Sequence, residues 1–343
     1  MTLARDLVAL DIGGANLKAA DGLGWTASSL FPLWKRWQEL PEALAALVAD
    51  RRPSRLVATM TGEICDCYPS RAAGVAHIVE SLIAASHAVG CKDPPGVYLL
   101  DGRVVGPLEA VREWGLASAS NWHAVATVAG DIVKDTRAFL VDIGSTTTDI
   151  IPIENRSPAP LAHDDAGRML SGELVYTGIA RTAVAAIVRR LPHRGVWRPV
   201  ASELFAESRD AWLTLEGIPE DATARDTADN GPATRDAARV RLARTMLLDP
   251  ETFSDEDAAT AAEWIANRQA SQIARAARRV ARAVGWLPEA IVLSGHGEAL
   301  ASRALAAAGW NLPIVRLADS LGPAVARVAP AYALALIASG AIP

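Results

Sequence analysis

Of 343 residues, half are hydrophobic and about a fifth charged, so the chain can bury a sizeable core, is too apolar for wholesale disorder and has the length of about two domains. A net charge of −5, with arginines interleaved among acids, argues against a nucleic-acid partner, and three cysteines, an odd number in a long chain, argue against a disulfide framework. No apolar run approaches a membrane span, and residues 1–10 lead straight into a core strand without a basic-then-apolar leader, so the expectation is a cytoplasmic protein that meets no membrane.

Residues 7–20, LVALDIGGANLKAA, read as strand, turn, strand: an apolar run closed by Asp11, then Gly13 and Gly14, then Asn16 and Lys18 on a second run. Residues 22–29 are turn-like, 33–50 read as a helix rich in Leu and Ala, and 55–60 form a short strand. That strand runs into Thr61, Gly62 and Glu63. Ligands collect at the carboxyl ends of strands in open α/β sheets, which makes Thr61 and Glu63 site candidates. Cys65 and Cys67 lack the spacing and the second pair of a structural zinc site. Residues 72–89 are an apolar helix, 97–100 a strand, and Asn121, Trp122 and His123 precede a helical run at 124–132, where Asn121 is placed to cap.

Residues 138–153, AFLVDIGSTTTDIIPI, repeat the first pattern and are the stretch around which the rest is organised. A buried strand ends in Asp142, followed by Gly144, the hydroxyls of Ser145, Thr146 and Thr147, and then Asp149 on a second apolar run. Backbone amides and hydroxyls at such a turn suit phosphate. Asp142 and Asp149 would repel a bare phosphate and fit only if a hard cation such as Mg²⁺ lies between them and it.

Downstream, Glu173 precedes an apolar run at 174–188 that reads as a helix, and 192–236 turns polar and Pro-containing, as in an irregular insertion. Residues 237–248 and 258–284 read as helices. The run Arg275, Arg278, Arg279 and Arg282 is either a solvated face or an anion site, the former being the ordinary case. A strand at 290–293 opens through Gly295, His296 and Gly297 into an alanine-rich helix, a strand-to-helix turn suited to phosphate. Residues 322–338 read as a closing apolar helix.

Two Asp-Ile-Gly hairpins and a late Ser-Gly-His-Gly strand end resemble the superfamily of acetate and sugar kinases, Hsp70 chaperones and actin. More specifically the chain is similar to the hydantoinase and oxoprolinase branch, and within it to the tetrahydromethanopterin-linked one-carbon transfer pathway proteins, whose archaeal relatives form methanofuran. The segments that carry the likeness are 11–18, 59–66, 119–122, 142–149, 172–178 and 293–297, spread over most of the chain. The resemblance implies two ribonuclease-H-like α/β domains around a cleft, at 1–136 and 137–321, with residues 322–343 packing back on the first and the insertion near 192–236 in the second.

It also implies an ether-forming transferase that joins an aminomethylfuran methyl diphosphate to a phenol and releases diphosphate. On that basis Asp11, Asp142 and Asp149 hold Mg²⁺. Gly13, Gly14, Asn16, Lys18, Gly144, Ser145, Thr146, Thr147, Gly295 and His296 take phosphate. Thr61, Asn121, Trp122 and Glu173 meet substrate, and Asp11 or Glu63 is the base, with Asp142 also in the catalytic set. The partners expected are small molecules; ATP binding and a homo-oligomer are left open. The alternative within the same fold is an ATP-dependent kinase or amide hydrolase, and a nucleotide-switched binding module is a third class.

Overall fold

The computed structural model describes residues 7–342; residues 1–6, the start of the segment expected to carry no leader, lie outside them. The described residues form a mixed α/β protein with two six-stranded sheets and a separate two-stranded ribbon. The chain divides into two compact units, one comprising the residues up to Ala138, Ile151–Arg168 and the stretch from Val315, the other Phe139–Ile150 and Met169–Ile314.

The first unit holds β1 (Leu7–Ile12), β2 (Asn16–Ala20), β3 (Thr26–Leu30), β4 (Arg55–Met60), β5 (Gly96–Tyr98) and β6 (Val104–Val105), in the order β3-β2-β1-β4-β5-β6. β1, β2 and β3 are an antiparallel meander, and β4 and β5 continue the sheet in parallel with β1. This is the ribonuclease-H-like order. Val8, Leu10 and Ile12 face a core with the helices Leu40–Val48 and Arg71–Ala88, while Leu7 and Ala9 face another with Asn121–Val133 and Ala329–Ala338. Burial on both faces explains why β1 is apolar throughout rather than alternating. The 22–29 segment, expected to be a turn, supplies β3 instead. Its polar residues suit an edge strand with exposed side chains, and its partner β2 supplies the pairing that composition does not announce.

Further along the chain come β7 (Ala138–Ile143), β8 (Thr148–Glu154), β9 (Ser157–Pro158), β10 (Leu174–Val175), β11 (Arg190–His193), β12 (Val196–Pro199), β13 (Ala290–Gly295) and β14 (Ile314–Arg316). The second sheet has the order β10-β8-β7-β13-β14 with β9 on β8, and β11 and β12 pair with each other as the ribbon. A 30-residue helix, Asp255–Val284, about 45 Å long, starts at a Ser254–Asp257 capping box and stops at Gly285 in the left-handed region. One part packs under the sheet beside Ile143, Ile150 and Leu293; the other joins a smaller core with Leu191, Leu242 and Phe253.

One expectation fails in the second unit. Residues 174–188 are not one helix: they contain only β10 and a four-residue helix, Val184–Ile187, because the backbone between them bonds to the central hairpin instead of to itself. Residues 192–236 are largely irregular, as expected, with 215–234 holding neither helix nor strand, but they also carry β12 and the helix Ser208–Thr214. A buried ion pair anchors that helix: Arg241 Nη2 lies 2.7 Å from Asp210 Oδ1, with both side chains almost fully enclosed. The C-terminal stretch of the first unit is likewise broken, and its main helix begins only at Ala329.

Candidate functional site

In the first unit the register of β1 places Asp11 opposite Lys18 on β2 and beside Thr59 on β4. Asp11 is 3% exposed; its Oδ2 lies 3.3 Å from Lys18 Nζ, and its Oδ1 is buried with no hydrogen-bond partner. The turn is closed by Gly13 N–H donating to Asn16 O at 3.1 Å, and Gly14 O accepts from Leu33 N–H at 2.9 Å. Asn16 stands exposed at the start of β2. Thr61 is half-buried, and its N–H donates to Ile12 O at 3.0 Å, which ties the end of β4 to the same turn.

Glu63 is 1% exposed, and one of its oxygens is fully engaged: Oε1 accepts from Ser118 Oγ at 2.6 Å and from Ala119 N–H at 3.0 Å. Ala119 has a φ of 50°, a left-handed conformation that is costly for a residue with a Cβ and that aims its amide at the carboxylate. Glu63 Oε2 is buried and has no partner. Burial first of all, and Asp165 to a lesser degree, raise the carboxyl above its ordinary value, opposed by the bond from Ser118 and the charge of Arg71. Such a group holds or takes a proton more readily than a solvated carboxylate does.

Trp122 is 2% exposed, one face is covered by the Arg168 guanidinium 4.1 Å from the ring centroid, and its indole N–H is buried without a partner. Arg168 is itself enclosed, 3.7 Å from Asp165, which also pairs with Arg71 at 2.7 Å. Asn121 does not cap: it is the first helical residue, and its Oδ1 accepts from the Trp122 N–H at 2.8 Å. The preceding residue, Ser120, bonds to Thr59 Oγ1 at 2.8 Å. His123 is held neutral, its pKa lowered to about 4 chiefly by burial, and its Nδ1 bonds to Tyr98 Oη at 2.8 Å. Asp11, Lys18, Thr61, Glu63, Asn121 and Trp122 therefore belong to one unit, around the carboxyl ends of β1 and β4. Ser118, the twisted Ala119 and Arg168 complete the group. A positive φ at an alanine and a distant arginine stacking on an indole leave no sequence signal.

In the second unit the hairpin between β7 and β8 is closed by Gly144 N–H donating to Thr147 O at 3.0 Å, with Ser145, Thr146 and Thr147 half-buried. Residues 178–181 wrap it. Ile179 N–H donates to Gly144 O at 3.0 Å, and the Ala180 and Arg181 amides donate to Ser145 O at 3.0 and 2.8 Å. Gly178 lies so close that a Cβ there would sit 2.5 Å from Ser145 C and 2.6 Å from Gly144 O. Its own carbonyl accepts from Ser208 Oγ at 2.9 Å and Gln269 Nε2 at 2.6 Å, and Trp212 Nε1 donates to Gln269 Oε1 at 2.9 Å. The hairpin is thus fixed by a buried network reaching the long helix. This bracing, in a segment whose composition suggests a helix, is the main feature that sequence reasoning misses.

The turn after β13 meets the same hairpin. Gly295 has φ +83°, and a Cβ there would overlap the Ile143 carbonyl and approach Asp142 Oδ1 to 2.7 Å, so only glycine passes. The His296 and Gly297 amides donate to Ile143 O at 3.1 and 3.2 Å, and His296 Nε2 lies 3.0 Å from Ser145 Oγ. Asp142, Gly144–Thr147, Gly295 and His296 are thereby brought together, with Asp149 on the adjoining strand. Glu173 is elsewhere: fully buried beside β8, it accepts from Ile150 N–H through its backbone carbonyl at 2.8 Å and from Ser171 Oγ through its side chain at 2.7 Å.

The sequence profile described as Hydantoinase/oxoprolinase matches residues 55–339. The chain belongs to the hydantoinase/oxoprolinase family. It is similar to the (4-{4-[2-(gamma-L-glutamylamino)ethyl]phenoxymethyl}furan-2-yl)methanamine synthase of Methanocaldococcus jannaschii, 30% identical over 332 residues, which cover 96% of each chain. A protein of the same name from Methanococcus vannielii is 27% identical over 205 residues, 59% of this chain and 91% of the other. Among solved structures, component A of (R)-2-hydroxyglutaryl-CoA dehydratase from Acidaminococcus fermentans superposes with a TM-score of 0.44 at 14% identity over 98% of both chains, a likeness too loose to speak for chemistry.

Among the described residues no three His, Cys, Asp or Glu side chains gather into a protein-only metal cage. Mg²⁺ is ordinarily held by one or two carboxylates together with substrate phosphate oxygens and water, and the enclosed, unpartnered Oδ1 of Asp11 is an oxygen of that kind. No helix among the described residues is long and apolar enough to cross a membrane.

Proposed function

We propose that this chain is a transferase that joins a furan methyl diphosphate bearing an aminomethyl group to a phenol of the glutamyl-tyramine or tyrosine type, releasing diphosphate. The observation that carries the reading is the kinship to the archaeal synthase along 96% of both chains, since the product in that protein's name is a furan-methyl aryl ether. In this reaction the bond between the furan methylene and the diphosphate oxygen breaks, the bond between that carbon and the phenol oxygen forms, and the phenol proton leaves to a base.

An unperturbed phenol has a pKa of about 10, so a base or a strongly activated carbon is required at neutral pH. Glu63 suits the base. Ser118 and Ala119 fix one oxygen, the other is enclosed without a partner, and burial raises its proton affinity. Asp11, Asp142 and Asp149 are the residues offered to Mg²⁺, which when bound would neutralise charge on the leaving diphosphate. Lys18 in one unit, and the hydroxyls of Ser145, Thr146 and Thr147 with the turn at Gly295 and His296 in the other, are assigned to phosphate oxygens. Thr61, Asn121 and Trp122 are assigned to the furan or phenol, and Glu173 to support of the hairpin strand.

The test is a mass-spectrometric assay of the purified protein with Mg²⁺, the furan diphosphate and either γ-glutamyltyramine or tyrosine, with and without ATP. Ether and free diphosphate formed without ATP are expected. ATP consumption with no ether from either acceptor would replace this reading by the kinase or amide-hydrolase alternative, which no observation on this chain favours.

A further inference from the structure

The arginine run of the long helix has a partner surface that its sequence does not disclose. Arg278 and Arg282 line a solvent-open surface cavity of about 610 Å³ together with Ala281, Trp286, Leu287 and Trp310, a volume comparable to that of small-molecule sites. Trp286 and Trp310 each pack edge-to-face on the buried Phe139, with centroids 5.3 and 5.8 Å away, so the indole walls are fixed from behind by β7. Each guanidinium is also held in place: Arg278 Nη1 donates to Ala307 O at 2.8 Å, and Arg282 Nε to Arg278 O at 3.2 Å. A guanidinium has five N–H donors, so those bonds orient the groups and leave most of their donors for other acceptors.

Arg282, in the last turn of the helix, would balance its dipole without any ligand. The walls show more than that. Fixed indoles lining a cavity present flat apolar surface, and guanidiniums beside them supply paired donors with carboxylate geometry. The cavity lies at the start of β13, whereas Gly295 and His296 close its far end, about 20 Å away along a six-residue strand. It is thus separate from the turn assigned to phosphate.

We infer that the cavity bounded by Trp286, Trp310, Arg278 and Arg282 is a binding site for a planar aromatic carboxylate, distinct from the turn at Gly295 and His296. The aromatic ring lies against the indoles, and the carboxylate meets the guanidiniums at the rim.

The experiment uses the full chain and 2-naphthoate as probe, with tryptophan fluorescence and titration calorimetry as readouts. Saturable one-to-one binding is expected, roughly tenfold tighter than for the uncharged 2-naphthalenemethanol, which lacks the charge-assisted hydrogen bonds. Arg282→Gln, at an exposed side chain, should weaken naphthoate about tenfold and leave the naphthalenemethanol affinity unchanged. Trp286→Leu should weaken both probes. Asp142→Asn should leave naphthoate binding intact, which separates this cavity from the diphosphate site. No saturable binding at millimolar naphthoate, equal affinity for the neutral probe, or binding insensitive to both Arg282→Gln and Trp286→Leu would overturn the inference.

Discussion

Glu63→Gln separates catalysis from stability. The amide oxygen of Gln can still accept from Ser118 Oγ and the Ala119 amide, which lie 2.6 and 3.0 Å from Glu63 Oε1, so the loop after β4 keeps its anchors. What is lost is a proton acceptor at Oε2, an enclosed atom with no partner. Loss of a positioned general base typically lowers turnover by about 10²–10⁴-fold. Stability should show a separate signature, in its pH dependence. Burial raises the Glu63 pKa in the folded chain, so the folded state holds its proton more firmly than the unfolded one. That contribution is complete below the unfolded value near about 4.3 and is lost as pH rises through the folded value, at about 1.4 kcal/mol for each pH unit that separates the two.

The Gln variant lacks this slope, so its stability should change less between pH 4 and 8 than the parent's while it is nearly inactive; its Nε2 takes the enclosed position of Oε2 and leaves N–H donors unpaired, at a cost of about 1–3 kcal/mol. Glu63→Ala, by contrast, leaves the buried Ser118 hydroxyl and Ala119 amide unpaired, at about 1–3 kcal/mol each. Single-turnover ether formation and urea melts from pH 4 to 8 measure both effects. Turnover of Glu63→Gln within about twofold of the parent would refute the base assignment, and a melt as pH-dependent as the parent's would refute the burial argument.

Four further outcomes are expected. Gly178→Ala forces a methyl into the Gly144–Ser145 backbone, which should cost about 1–3 kcal/mol in a denaturant melt and lower diphosphate affinity more than it lowers stability. Asp142→Asn should abolish turnover at ordinary Mg²⁺ while circular dichroism stays native; full activity would remove the central hairpin from the metal and phosphate site. Arg241→Ala strands the buried Asp210 carboxylate and should lose about 3–5 kcal/mol, read as a fall in the thermal midpoint with no change in fold. Glu207, whose pKa burial lifts to about 7, gives stability that is full below the ordinary carboxyl range and lost as pH rises through about 7; Glu207→Gln should flatten that slope in melts at pH 5 and 8.

Both Asp-Ile-Gly hairpins, β4, the helix Asn121–Val133 and the strand-to-helix turn at Gly295 are legible in the sequence because each is a short-range pattern: an apolar run long enough for its element, bounded by Gly or a polar residue. Family membership is legible in the same segments. The apolar run at 174–188 misleads, because hydrophobic content is equally compatible with a helix and with a loop whose backbone bonds elsewhere. Composition marks residues 192–236 as irregular, as they largely are, but hides the helix Ser208–Thr214, since a polar segment gains its order from a pair such as Asp210 and Arg241 that are far apart in sequence.

The sequence by itself determined where carboxylates, glycines and hydroxyls stand at strand ends, since these follow from local periodicity and turn chemistry. Only the tertiary structure decided which of them are engaged. Glu63 is held by Ser118 and Ala119 across 55 and 56 residues, Arg168 covers Trp122 from a later segment, and Gln269 on the long helix braces the hairpin through Gly178, 91 residues away. Such contacts depend on packing between elements distant in the chain. Burial, which raises the proton affinity of Glu63 and Glu207, exists only once that packing is complete.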